Sequence, residues 1–196
     1  SIVLKDFVVE GLNEAGLSTG LFYFPHYGNY PVYDAKQNTR TVADLQLVAW
    51  MLSQFSTIEE IKAAMQDIRV VSVDTTGASS TVHWRIGDAN GRQVVLEFVD
   101  GVPCFYENEI GVLTNSPGFP WQMTNLNNYV NLYPGGAEAH QLGGVTIFPF
   151  GAGSGFQGIP GDVTPPSRFV RAAFYKATAP PVSYTHLRAH ETKANL

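Results

Sequence analysis

Cysteine is almost missing from this chain of 196 residues: Cys104 stands alone. One cysteine excludes an internal disulfide and any cysteine-rich zinc site. Long apolar runs are also missing, since none approaches the roughly 20 residues needed to cross a bilayer as a helix, and a membrane partner is not expected. Positive charge is thin. Twelve Lys and Arg face 17 Asp and Glu, for a formal net charge of -5, with no basic stripe to track a phosphate backbone, so nucleic acid is excluded as the expected partner. A GxSxG elbow is lacking, which leaves a standard serine hydrolase unsupported. The chain opens on Ser1-Ile2-Val3-Leu4 with neither an initiating methionine nor a charged leader segment. It therefore reads as a sequence entered part-way through, and its compartment is not legible.

What is present is an ordinary globular composition, 44% hydrophobic and 12% aromatic, enough for one domain with a substantial core. Residues 3–10 are β-branched and apolar, residues 11–16 form a turn, and residues 17–24 make a second strand, an antiparallel hairpin. A polar, tyrosine-rich loop covers 26–40. Val42, Leu45, Val48, Leu52 and Phe55 follow at helical spacing. Ser56-Thr57-Ile58-Glu59 reads as a capping box, Ser56 with Glu59, opening a helix that buries Ile58, Ile61, Met65 and Ile68. Strands are expected at 70–73, 82–86, 94–99, 104–106 and 110–114, the second and third of these joined through a turn at 88–91. Residues 121–133 read as a helix, 150–164 as irregular and glycine-rich, and Thr164-Pro165 as the cap and first residue of a last helix. The fold class is α+β, an antiparallel sheet with packed helices.

The candidate motifs are mostly weak. Gly153-Ser154-Gly155-Phe156-Gln157-Gly158 matches GxGxxG, but Ile159-Pro160-Gly161 follows, so no helix can start there to meet a dinucleotide phosphate. His186 and His190 have metal-pair spacing without a base or third ligand. Cys104 lies between Pro103 and Phe105 in an apolar strand, a structural setting rather than a reactive one. Residues 182–192, VSYTHLRAHET, resemble the translation of a sequencing adapter, so the domain is expected to cover 1–181, with 182–196 an artefactual or disordered tail. Taken as residue types alone, Asn115 and Arg168 are polar side chains at a strand end and a helix start, positions that serve as surface or cap more often than as catalyst.

Four stretches in register carry more. EGLNEAGL at 10–17 with Tyr23-Phe24-Pro25, HWRIGD at 83–88, GVLTNSP at 111–117 and GIPGDVTPPSRF at 158–169 resemble the choloylglycine hydrolase family, which includes bile salt hydrolases and penicillin V acylases. The resemblance implies a four-layer αββα N-terminal-nucleophile hydrolase, truncated here at both ends. It implies cleavage of a linear amide C–N bond in a small N-acyl substrate, with neither metal nor cofactor. The nucleophile would be a cysteine heading the mature chain, upstream of Ser1, with its own α-amine as proton acceptor. Asn115 would donate to the oxyanion. Arg168 would favour the thiolate. Tyr23 would sit at the oxyanion and pocket position, where bile-salt enzymes tend to carry asparagine and penicillin V acylases tyrosine, which tilts the substrate slightly away from conjugated bile salts. The aromatic loop from Phe22 to Tyr33, with Tyr27 and Tyr30, would line the pocket and suit an apolar acyl chain or ring. Family members are often homotetramers. Residues 1–196 alone are expected to be inactive. A non-catalytic binding relative is the alternative. Were only the sheet shared, Asn115 and Arg168 would lie far apart.

Overall fold

A computed structural model of the chain describes residues 7–73 and 81–179. The expected tail at 182–196, with His186 and His190, lies outside the described residues. The main sheet has five antiparallel strands in the order β1-β2-β5-β6-β7: β1 Glu10–Leu12, β2 Ser18–Tyr23, β5 Val82–Gly87, β6 Gln93–Val99 and β7 Val102–Glu107. The first hairpin forms as expected, with Glu10 opposite Gly20. Its first strand begins at Glu10, later than the composition of 3–10 predicts, and residues 1–6 are not described.

The central strands are buried on both faces. Val82, Trp84 and Ile86 of β5, with Val94, Leu96 and Phe98 of β6, face one core together with Leu47, Met51, Ile58, Ile61 and Met65. The last five come from the region of α1 Leu47–Gln54 and α2 Ile58–Ala64. On the opposite face, Val95 packs with Phe119 of α3 Phe119–Asn125 and Phe169 of α4 Pro165–Thr178. Among the described residues, helices pack on both faces of the main sheet. Alternation within a strand therefore does not separate core from solvent here; it separates two cores.

Several elements differ from their sequence expectation. Val42 does not open a helix. Thr41–Ala43 is a strand, β3, paired in parallel with β4 Arg69–Val71, and the helix starts at Leu47 with Leu47, Val48 and Met51 buried. The capping box is Thr57 with Glu60, one residue later than the Ser56–Glu59 frame. Glu60 N–H donates to Thr57 Oγ1 at 3.3 Å, and Thr57 N–H donates to Glu60 Oε2 at 3.2 Å. Residues 110–114 form no strand. Asn108 takes up their backbone instead, accepting from Gly111 and Val112 N–H and donating to the Val112 carbonyl, a local arrangement that competes with sheet pairing. Gly111 has φ of 66°, a left-handed conformation that glycine adopts at least cost. The helix expected at 121–133 starts earlier, at Phe119, with Pro120 in its first turn, and continues only as a 3-10 turn, Leu126–Tyr129. A small hairpin pairs β8 His140–Leu142 with β9 Val145–Ile147, and all six strand residues are exposed. The 150–164 stretch is irregular apart from one 3-10 turn, Ser154–Phe156, and no helix follows its glycines at once.

Candidate active site

Three segments distant in sequence meet at one end of the sheet. The first is the end of β2, where Tyr23 pairs with Val82. The second is the loop after β7, which carries Asn115 and a cis Ser116–Pro117 peptide. The third is the first turn of α4, which carries Arg168. Asn115 joins the other two. Its Nδ2 donates to the Tyr23 carbonyl at 2.7 Å, and its Oδ1 accepts from Arg168 Nη2 at 2.7 Å. This settles the orientation of the amide, because the flipped form would set donor against donor at Arg168 and acceptor against acceptor at Tyr23. One hydrogen on Nδ2 is committed to Tyr23, and the second is left over.

The support around Asn115 is dense. Ser116 Oγ donates to the Pro25 carbonyl at 2.8 Å, and Thr114 Oγ1 donates to the Pro165 carbonyl at 3.1 Å. The second contact ties the loop to the start of α4. Gln122, buried in α3, donates to the Asn115 carbonyl at 3.4 Å. Tyr23 contributes its carbonyl to this network, while its side chain is exposed.

Arg168 sits where a helix dipole disfavours a cation, so its placement needs other partners. Nε donates to the Val163 carbonyl at 3.0 Å while Nη2 holds Asn115. The α4 start is itself pinned by Asp162, whose carboxylate accepts from Thr164 N–H at 2.9 Å, Thr164 Oγ1 at 2.5 Å and Ser167 Oγ at 2.6 Å. The bonds from Ser167 and then Thr164 hold the Asp162 carboxyl down to about 2. Thr164 is the cap residue, as its position before Pro165 predicts, but its hydroxyl serves Asp162 rather than a helix N–H. Arg171 closes the turn by donating to the carbonyls of Pro160 and Asp162, at 2.7 and 2.6 Å.

Tyr30, expected to line a pocket with Tyr27, lies against the core instead. Its hydroxyl donates to the Val82 carbonyl at 2.9 Å and accepts from Val82 N–H at 3.0 Å, and its ring meets Trp84 and Phe98. Burial drives its phenol pKa upward. Tyr27 and Tyr33 are exposed. Cys104 lies in β7 with its thiol toward the Val102 carbonyl, at 3.7 Å.

With this geometry in view, comparison with known proteins decides the family. The profile of the linear amide C-N hydrolases, choloylglycine hydrolase family, matches residues 3–189. The chain belongs to the choloylglycine hydrolase family. It is 37% identical over 169 residues to a bile salt hydrolase/transferase of Clostridium perfringens, covering 85% of this chain and 51% of that protein. It is 27% identical over 174 residues to a penicillin V acylase of Pectobacterium atrosepticum, covering 85% of this chain and 40% of that one. The fold superimposes on a crystal structure of a variant conjugated bile acid hydrolase from Clostridium perfringens with TM-score 0.81 at 32% identity, over 93% of this chain and 58% of the other. The α+β, N-terminal-nucleophile hydrolase fold class is thereby established. The chain spans about half the length of the curated relatives it matches.

The reading in which only a sheet is shared fails, because Asn115 and Arg168 touch. Sequence reasoning missed His83 and Glu97, both fully buried beside this loop, and the carboxylate of Asp162. A signal for the first two was available. The turn at 88–91 pairs Trp84 with Leu96, and that register sets His83 opposite Glu97.

Proposed function

We propose that this chain supplies the oxyanion-stabilising and thiolate-supporting part of an amide hydrolase with an N-terminal cysteine nucleophile, acting on a small N-acyl amide. The observation that carries the proposal is the chain of contacts Tyr23 carbonyl, Asn115 amide, Arg168 guanidinium. Asn115 presents a fixed amide whose remaining N–H is free for a developing oxyanion, and a donor held in place before the reaction costs no reorganisation during it. Arg168 commits Nε and one contact of Nη2 to the protein, which leaves guanidinium charge available to favour a thiolate.

In the reaction, the thiolate attacks the amide carbonyl, and the oxyanion is met by Asn115. The amine leaves with a proton, and water then releases the acid from the acyl-enzyme. Among residues 1–196 the cysteine that this scheme requires at the head of the mature chain does not occur; the single cysteine, Cys104, is placed in β7. Residues 1–196 are accordingly expected to release no amine, while a chain extended to family length and headed by cysteine is expected to turn over. The measurement is amine release from penicillin V and from a glycine-conjugated bile salt. Activity of residues 1–196 alone, or inactivity of the folded extended enzyme on every N-acyl amide offered, overturns the proposal. An inert residue at the mature N-terminus would favour the alternative, a binding relative that uses the same pocket.

For the acyl group, tyrosine at position 23, which the resemblance associates with penicillin V acylases, tilts slightly away from a conjugated bile salt, while the higher identity to the bile salt hydrolase/transferase favours the latter. N-acyl homoserine lactones are the third class. Self-association of the extended enzyme, up to the tetramer the family resemblance implies, is supported by exposed apolar side chains in and just after the β8–β9 hairpin, Leu142, Val145, Phe148 and Phe150.

A further inference from the structure

His83 and Glu97 have no part in the reaction proposed above, yet they are buried directly beneath the loop that carries Asn115. His83 is wholly buried and Glu97 is 1% exposed. Nδ1 of His83 lies 3.0 Å from Glu97 Oε1, and Nε2 lies 2.9 Å from the Thr114 carbonyl oxygen. Both neighbours are acceptors. A neutral imidazole has one N–H and one bare nitrogen, so a neutral ring beside a carboxylate would set a lone pair against an oxygen on one side. Two arrangements remain, an imidazolium against a carboxylate or a neutral ring against a protonated Glu97. In both, Nε2 carries a proton and donates it to Thr114.

The surroundings select the first. Glu97 Oε1 also accepts from Phe119 N–H at 2.8 Å, and two N–H donors on one oxygen suit a carboxylate. The Phe24 ring lies parallel to His83, with centroids 4.3 Å apart and planes 9° apart, a face that attracts a cation. A buried pair of this kind is often no more stabilising than apolar side chains of the same size, so stability alone does not account for it. The positions it fixes do. Thr114 is joined by a peptide bond to Asn115, and Phe119 ends the same loop. Between them, a Cβ added at Gly118 would sit 3.1 Å from Glu97 Oε2, so the loop closes tightly over the carboxylate.

We propose that His83, charged and held by Glu97, is a positioning residue for the oxyanion donor: it clamps the carbonyl of Thr114 while Glu97 clamps the N–H of Phe119, and together they set the direction of the Asn115 amide. The catalytic consequence rests on the role proposed for Asn115, whereas the clamp itself does not. Nitrogen-15 NMR of the unmutated protein near neutral pH tests the clamp directly. His83 should show two slowly exchanging ring N–H protons, with a through-bond coupling from Nε2–H to the Thr114 carbonyl. A bare Nε2 overturns the proposal whether or not the enzyme turns over. In the extended enzyme, Glu97→Gln should shift the Asn115 side-chain amide resonances and lower kcat by about tenfold to a hundredfold, as misplaced catalytic groups do, with KM unchanged. Gly118→Ala, a milder push on the same carboxylate, should move both readouts in the same direction and keeps the test open if Glu97→Gln does not fold. Folded variants with unmoved Asn115 resonances overturn the proposal. Resonances that move while an active enzyme keeps its kcat overturn its catalytic half, and an intact enzyme that is inactive from the start indicts the function proposed for the site instead.

Discussion

Asn115 holds Arg168 with its oxygen and the Tyr23 carbonyl with its nitrogen, and two substitutions separate what each end does. Asn115→Ala removes both. Asn115→Asp keeps an oxygen for Arg168, now as an ion pair in which both partners are charged, but puts a second oxygen where Nδ2 now meets the Tyr23 carbonyl at 2.7 Å. If the amide donates to the oxyanion, Asn115→Ala loses one such donor, a loss of about 100- to 1,000-fold in kcat or ~3–4 kcal/mol. Asn115→Asp should fall further. It loses the same donor and also places a negative charge where negative charge develops, and two unit charges about 4 Å apart repel by about 4 kcal/mol at an effective dielectric of about 20, a figure that pairing with Arg168 offsets in part.

The order Asn > Ala > Asp is therefore the signature of a donor. If Asn115 served only to hold Arg168, the order would be Asn ≥ Asp > Ala. The assay is kcat for amine release by the extended enzyme. A thermal melt of each variant accompanies it, since Asn115→Asp should also lose about 0.5–1.5 kcal/mol of stability with its bond to the solvent-accessible Tyr23 carbonyl. An Asp variant that keeps activity above the Ala variant refutes the reasoning.

Three further outcomes are expected. Tyr30→Phe removes a hydroxyl that both gives to and takes from the Val82 backbone and should cost about 1–3 kcal/mol in urea unfolding; an unchanged midpoint would return Tyr30 to the pocket. Arg92, and with it Lys62, holds the Glu107 carboxyl at about 2, below its usual 4.5. A depressed folded-state pKa stabilises above the unfolded value, so this contribution should be complete above about pH 4.5 and vanish as pH falls toward 2, and Glu107→Gln should flatten that limb of a stability–pH curve. Phe148→Ser with Phe150→Ser should shift the extended enzyme toward smaller species in sedimentation velocity, and no change would show that the exposed hairpin is not an association surface.

Much of the fold was legible in the sequence because periodicity and turn chemistry agree there. The hairpin around 88–91, the buried face of α2 and the cap before α4 all follow from local rules. The misses have identifiable causes. Ser56-Thr57-Ile58-Glu59-Glu60 offers two capping frames, and burial of Ile58 and Ile61 against the sheet selects the second. Val42 fits helical spacing equally well, but its partner across the parallel ladder, Val70, is 28 residues away, beyond any local pattern. At 110–114 Val112 and Leu113 are indeed buried, yet Asn108 claims the backbone groups of Gly111 and Val112. Tyr23, Asn115 and Arg168 came from family resemblance; spacing alone showed nothing that would bring them together.

The reason they do meet is the start of β5. Val82 pairs with Tyr23 and is bridged on both backbone groups by Tyr30, and His83, next in the strand, reaches the Thr114 carbonyl. Thr114 in turn holds Pro165, and with it the first turn of α4. Two adjacent residues therefore locate β2, the Asn115 loop and the Arg168 helix relative to one another. Beside an ionised Glu97 a neutral histidine could not make both of its contacts, and an apolar residue at 83 could make neither. His83, which strand alternation would assign to solvent, is buried at the point where β5 meets the Asn115 loop.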